Sequence, residues 1–312
     1  MKWKNGLVSL AIILVLVGVS ELFQSPALLF PEIATLAIGG WILTRQPWQV
    51  SKSMLVILMT ASALAGVCLV RLPMAMITQV CLAFVFGALA LSLTKTSVTP
   101  IIATGILPVL MQETSFAYVF SVALSSVVLI AVRHFLEQNE WVAPSVYQPV
   151  EAPAEELAHK WLRLLAGLFV VSLLAVLLNT FWIIAPPLIV LLVEFYDPQS
   201  RWRRAPLPIW CLLTAGAVAG ALCRFLFSVS LGLPLVVSAA FAFVLLFFVF
   251  RGFRLFFPLA GSAALFPMLL PARGILWYIP QVAVGAALMM ALAFFLSKTQ
   301  YKKDPRQRDV AE

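Results

Sequence analysis

The chain has 312 residues, 62% of them hydrophobic and only 11% charged, with a mean hydropathy of +1.03 and a formal net charge of +8. Soluble domains carry about 25% charged residues, so this composition excludes a water-soluble globule and points to an integral membrane protein. The basic residues are scattered in small groups between apolar runs, not gathered into an arm or stripe, which argues against nucleic-acid binding.

Lys2 and Lys4 precede an apolar run from Leu7 to Phe23. Gly18-Val19-Ser20 is a poor cleavage site. Lys160 and Arg163 precede the run Leu164–Leu178 in the same way, so the first run is expected to be a retained anchor. A crossing helix needs about 20 apolar residues. Segments are predicted near 6–24, 27–44, 53–72, 74–93, 97–111 and 115–136, then near 161–180, 181–196, 206–228, 233–250, 255–270 and 276–297. The fifth of each set is short and interrupted by proline. The eighth, carrying Pro186-Pro187, is also short. Between the sets lies 137–160, a connector with Glu137, Glu140, Glu151, Glu155, Glu156 and three prolines. Residues 298–312 form a basic tail.

The two sets share their punctuation. Pro31, Trp48, Gly66, Arg71, Pro100, Gly105 and Pro108 recur in order as Pro186, Trp202, Gly220, Arg224, Pro258, Gly261 and Pro267. The expected fold is an all-α polytopic transmembrane bundle. It has two parallel repeats of about six segments, 1–136 and 161–297, joined by a cytoplasmic linker. With both termini cytoplasmic and every segment crossing, only Arg71, Arg224 and Arg273 of the 21 Lys and Arg fall outside. That is the bias the positive-inside rule predicts. The expected location is a bacterial cytoplasmic membrane.

Paired, interrupted segments are a sequence pointer to a transporter site. The segments around Pro100, Thr104 and Gly105 and around Pro258, Gly261 and Ser262 are therefore the candidate substrate site. Their small residues admit close approach, and a helix starting inside the membrane offers unpaired N–H groups to an anion. Tight packing with a kink is the alternative. Arg71 and Arg224 fit an outer vestibule that attracts anions, or charges that snorkel to the headgroups. Glu32 fits a proton-coupling group, or an interfacial carboxylate favoured by a helix start. The four cysteines lie in apolar runs without CxxC or Cys/His spacing, so neither a metal site nor a disulfide framework is expected. No Ser/His/Asp, HExxH or Walker pattern appears. Neither an enzyme nor a cofactor is expected.

Phe257-Pro258-Leu259-Ala260-Gly261-Ser262-Ala263-Ala264-Leu265 resembles the central motif of the HPP membrane-protein family, and Pro186 through Trp202 to Gly220 is similar to that family's run into a Gly-rich helix. The pattern recurs weakly from Pro31 to Pro108, as in a duplicated member. Val98-Thr99-Pro100 and Phe257-Pro258-Leu259 replace the eponymous His-Pro-Pro. The resemblance implies small-anion transport, including nitrite. Thr180–Pro186 with Arg201-Trp202-Arg203-Arg204 also resembles the fusaric-acid-resistance exporter family, which implies export of aromatic carboxylic acids. That family's large cytoplasmic domain is missing.

The expected function is transport or channelling of a small inorganic or organic anion at the interface of two halves. The expected partners are the lipid bilayer, the anion, and a second copy or another membrane subunit. A non-transporting anchor or assembly subunit, or a lipid-handling protein, is the alternative.

Overall fold

The computed structural model describes residues 3–43, 46–144 and 146–301. The expectations for Lys2, Arg45 and the tail residues Lys302, Lys303, Arg306 and Arg308 lie outside the described residues. Among the described residues twelve α-helices follow in chain order: α1 Trp3–Leu22, α2 Glu32–Ala37, α3 Lys52–Val70, α4 Met76–Leu93, α5 Pro100–Met111, α6 Phe116–Gln138, α7 Ala154–Leu177, α8 Pro186–Tyr196, α9 Pro206–Cys223, α10 Leu235–Phe253, α11 Pro258–Leu265 and α12 Ile275–Tyr301. Among the described residues eight helices are long and apolar enough to cross a membrane. The other four, α2, α5, α8 and α11, lie in the shorter apolar stretches Pro26–Ile42, Pro100–Met111, Pro186–Tyr196 and Pro258–Leu269.

Length divides shell from core. The apolar windows of the long helices are 33–44% buried, as expected for helices with one face toward lipid. The short helices are buried almost throughout: every residue of α2 and α11 is buried, and so is all of α8 except Glu194. A 12-residue helix rises about 18 Å, well short of the roughly 30 Å hydrocarbon layer. Its irregular flanks are tolerated at membrane depth only where protein surrounds them. The order long, short, long, long, short, long runs through α1–α6 and again through α7–α12.

The second segment differs from its sequence reading as one run over 27–44. A single turn at Pro26–Leu28 is followed by α2, which loosens into a π-turn over Ile38–Ile42. Pro31 sets the start, and Gly39-Gly40 fall where the winding changes. A Cβ at Gly39 would run into the Trp48 ring. The irregular part of the connector is also shorter than 137–160, because α6 runs on to Gln138 and α7 begins at Ala154.

Polar contacts sort the helix ends onto two faces. One face gathers Lys52 and Arg133 on Glu137, Lys95 on Glu151 at 3.1 Å, and Arg203 on Ser297 at 2.8 Å. The other gathers Arg71 on the Thr114 carbonyl, Ser121 on the Leu28 carbonyl, and Glu21 accepting from the Leu235 and Val236 amides at the start of α10.

The Arg133–Glu137 pair is the best-buried charge cluster on the first face. Arg133 is 7% exposed, bonds Glu137 at 2.8 Å and donates to the Gly40 carbonyl. Removing one partner of such a pair leaves a buried charge alone. Glu137→Ala is therefore expected to lower stability by about 3–5 kcal/mol, measured as unfolding in detergent. A variant as stable as the parent would show that Arg133 reaches water when freed.

Candidate functional site

The four short helices meet crosswise. α5 lies between α3 and α4 and packs on α8, while α11 lies against α9 and α10 and packs on α2. Each short helix of residues 3–138 thus touches one of residues 154–301. Thr35 Oγ1 of α2 donates to the Pro258 carbonyl of α11 at 3.2 Å. Gly261 lets the two helices close, since a Cβ there would collide with Ile38 and press on Ala34.

Both interrupted helices are completed by the same devices. Proline lacks an N–H, so Pro108 leaves the carbonyl of Thr104, four residues earlier, without its helical donor. Tyr118 Oη donates to that carbonyl at 2.9 Å. Pro267 stands in the same relation to Ala263, and Tyr278 Oη donates to the Ala263 carbonyl at 3.2 Å. Gly66 of α3 lies against the Gly105 carbonyl, and Gly220 of α9 against the Ala264 carbonyl. Arg71 donates to the Thr114 carbonyl at 2.7 Å, just past α5, and Arg224 donates to the Pro267 carbonyl just past α11. A cation at the C-terminal end of a helix also suits its dipole.

Glu32 is the polar singularity of this centre. It is 2% exposed, and neither carboxyl oxygen makes a hydrogen bond to a described residue. Ser262 Oγ of α11, 1% exposed, lies beside it and is likewise without a partner of proper geometry. Tyr118 and Tyr278, 2% and 0% exposed, are buried neighbours of Glu32. A bare carboxylate in such surroundings costs several kcal/mol, so the group either keeps its proton or, once ionised, needs a cation beside it.

A polar pocket of about 490 Å³ opens at the first face, between the start of α5, the end of α8 and the start of α7. Glu194 Oε1 there accepts from Trp48 Nε1 at 2.9 Å and from Thr99 Oγ1 at 2.5 Å, tying α8 to the earlier half of the chain. Lys160, Trp161, Asp197, Arg201 and Trp202 also line it. Burial pushes the Arg201 guanidinium down from its ordinary value, and Glu194 opposes that shift.

The candidate residues fall into distinct roles. Thr104 Oγ1 bonds within its own helix, to the Pro100 carbonyl at 3.0 Å, and touches the Met59 sulfur at 3.3 Å. Gly105 faces Ser62, whose hydroxyl donates to the Ile101 carbonyl at 2.6 Å. Pro100 and Pro258 each open their helix. Gly261, Ser262 and Glu32 come together between α2 and α11, whereas Thr104 and Gly105 lie in α5, which packs mainly on α3, α4 and α8 and less extensively on α2. The tyrosine contacts fall on Thr104 and Ala263, and the glycine contacts on Gly105 and Ala264, so Gly261, which the sequence pairs with Gly105, does not occupy the matching place. Arg71 and Arg224 share a face and are both engaged with carbonyls. The sequence reading missed Tyr118, Tyr278, Trp48, Lys160 and Arg201. A tyrosine soon after each inner proline was the available signal for the first two. No family model matches the chain, and no curated protein or solved structure matches it significantly.

Proposed function

We propose that this protein is a multi-pass membrane transporter for a small anion, built from two parallel pseudo-symmetric halves and coupled to protons through Glu32. The observation that carries the reading is the buried Glu32 carboxyl, without a hydrogen-bond partner of proper geometry among the described residues, on a short helix of one half and against Ser262 on a short helix of the other. Intramembrane carboxylates cost stability and usually mark a proton or ion path. Short, broken helices crossing at the seam between similar halves are the usual setting of a transporter site. The Tyr118–Thr104 bond matches the Tyr278–Ala263 bond, and the approach of Gly66 to Gly105 matches that of Gly220 to Ala264, which supports the two-halves reading. The face rich in Lys and Arg is assigned to the cytoplasm, leaving Arg71, Arg224 and Arg273 outside. On this reading the chain is a divergent, duplicated relative of the HPP family. The pocket around Glu194 is its inner mouth.

The test is flux in proteoliposomes with a pH-sensitive dye inside, using nitrite, nitrate, formate and acetate as probes. At least one of these anions is expected to drive proton movement. Glu32→Gln, which keeps the shape but cannot ionise, is expected to abolish that coupled signal. An unchanged signal in Glu32→Gln would remove Glu32 from the pathway. The close apolar packing around α5 favours a second reading, a non-transporting subunit of a larger assembly. Co-purification of a stoichiometric second chain, with no flux of any probe, is the result that reading expects.

A further inference from the structure

The pocket at the first face holds two cations, Lys160 and Arg201, and two anions, Glu194 and Asp197. The ion pairs among the described residues all lie elsewhere, at Lys52–Glu137, Lys95–Glu151 and Arg133–Glu137. The four charges nevertheless feel one another: Asp197 and Glu194 act on Lys160, and Glu194 acts on Arg201. Opposite charges sharing one pocket are free to close into pairs unless other contacts hold them. Here each has its own hold. Glu194 is fixed by Trp48 and Thr99, and Asp197 Oδ1 accepts from the Gln199 amide at 2.9 Å. Lys160 Nζ lies 4.8 Å from the Trp161 ring centre, and the Arg201 guanidinium 4.1 Å from that of Trp202.

Such an arrangement constrains a ligand. A simple anion would gain Lys160 and Arg201 but face two carboxylates, and a simple cation would meet the reverse. Like charges left facing one another cost binding energy. A molecule carrying both signs meets both pairs, and its net charge of zero matches that of the four groups. The volume of about 490 Å³ lies within the range usual for small-molecule sites, about 300–1,000 Å³, which leaves room for more than an inorganic ion. Trp48 and Trp202 line it but are each only 6% exposed; the part-exposed Trp161 and Leu157 and the exposed Val150 give the surface for an apolar body.

We infer that this pocket binds a small zwitterion with an apolar body, an amino-acid-like solute. Its anionic group lies on Lys160 and Arg201, and its ammonium on Glu194 and Asp197. The inference rests on the transport reading for its purpose and amends the substrate of that reading: the carboxylate carried is paired with an ammonium on the same molecule, so the solute loaded at the inner mouth is neutral overall.

The experiment is calorimetric titration of the full-length protein in detergent with four probes: phenylalanine, leucine, 3-phenylpropionate and phenethylammonium. At least one of the two amino acids is expected to bind saturably. Phenylalanine is expected to bind about tenfold or more tightly than either single-charge analogue, the loss that follows from removing one charge-assisted contact. Lys160→Gln is expected to weaken the amino acids and phenylpropionate but not phenethylammonium, and Lys160→Arg to restore them. Asp197→Asn, which keeps the acceptor for Gln199, is expected to show the opposite selectivity. Arg201→Gln substitutes for Lys160→Gln if that variant melts early. The inference falls if neither amino acid binds, if phenylpropionate binds as well as phenylalanine, or if both charge variants leave phenylalanine binding unchanged. Proton-coupled flux lost in Glu32→Gln, with no amino-acid binding, leaves the transport reading standing without this inference. Amino-acid binding without coupled flux does the reverse.

Discussion

Gly220→Ala is expected to lower stability by at least about 3 kcal/mol, beyond the usual range of overpacking. The added methyl would fall 2.8 Å from the Ala264 carbonyl carbon and closer still to its oxygen. The obstacle is backbone, so no side-chain rotation relieves it. α9 and α11 would have to separate, and the Arg224 bond to the Pro267 carbonyl would be strained with them. Gly66→Ala should act similarly against Gly105 in α5. Gly252→Ala is the control, since nothing lies within 4 Å of its Cβ position; there alanine should gain about 0.5–1 kcal/mol from helix propensity. Thermal unfolding in detergent measures all three. If Gly220→Ala and Gly252→Ala melt together, the close approach of α9 to α11 is wrong.

Glu32→Met should do the opposite: stabilise the protein and abolish its proton coupling. Methionine is close to glutamate in length, apolar and adaptable. It removes buried polar atoms that have no hydrogen-bond partner among the described residues. Leaving such a group unsatisfied costs about 1–3 kcal/mol, so a gain of that order is expected. Functional sites are commonly held at the expense of stability. Glu137→Ala, at a carboxylate that is fully engaged, is expected to change stability in the other direction. The pair therefore separates a carboxylate kept for function from one kept for structure. A Glu32→Met protein less stable than the parent would mean that the carboxyl has a stabilising partner in the folded state.

Much of the architecture was legible in the residues, because apolar runs of membrane length and the prolines that interrupt them are local signals. Pro100, Pro186 and Pro258 each open a short helix as a fixed φ predicts. The break in the second segment was harder to see, since the run from Ile33 to Leu43 stays apolar while its winding changes at Gly39-Gly40. Thr104 looked like a ligand because it is a hydroxyl beside small residues. A threonine inside a helix often bonds the carbonyl four residues back, and Thr104 does so. Glu32 was visible as an isolated acid, but its neighbour Ser262 lies in the other half of the chain, and no periodicity connects them. Lys160 and Arg201 were hidden by the positive-inside pattern, which explains any basic residue near a cytoplasmic boundary and cannot separate an anchor from a pocket wall.

The crosswise meeting of the short helices bears on how the protein is made. α2 finishes its contacts only with α11, and α5 finishes part of its own only with α8. During synthesis α1–α6 reach the bilayer first, with the Glu32 side of α2 lacking its cover. An incomplete half must then hold a carboxyl and irregular backbone in lipid until the later helices arrive. Residues 139–153 set how far apart the two halves can drift during that interval. Cutting the chain there and producing the pieces separately would turn an internal docking step into a search between molecules, and the first piece would be the one awaiting rescue.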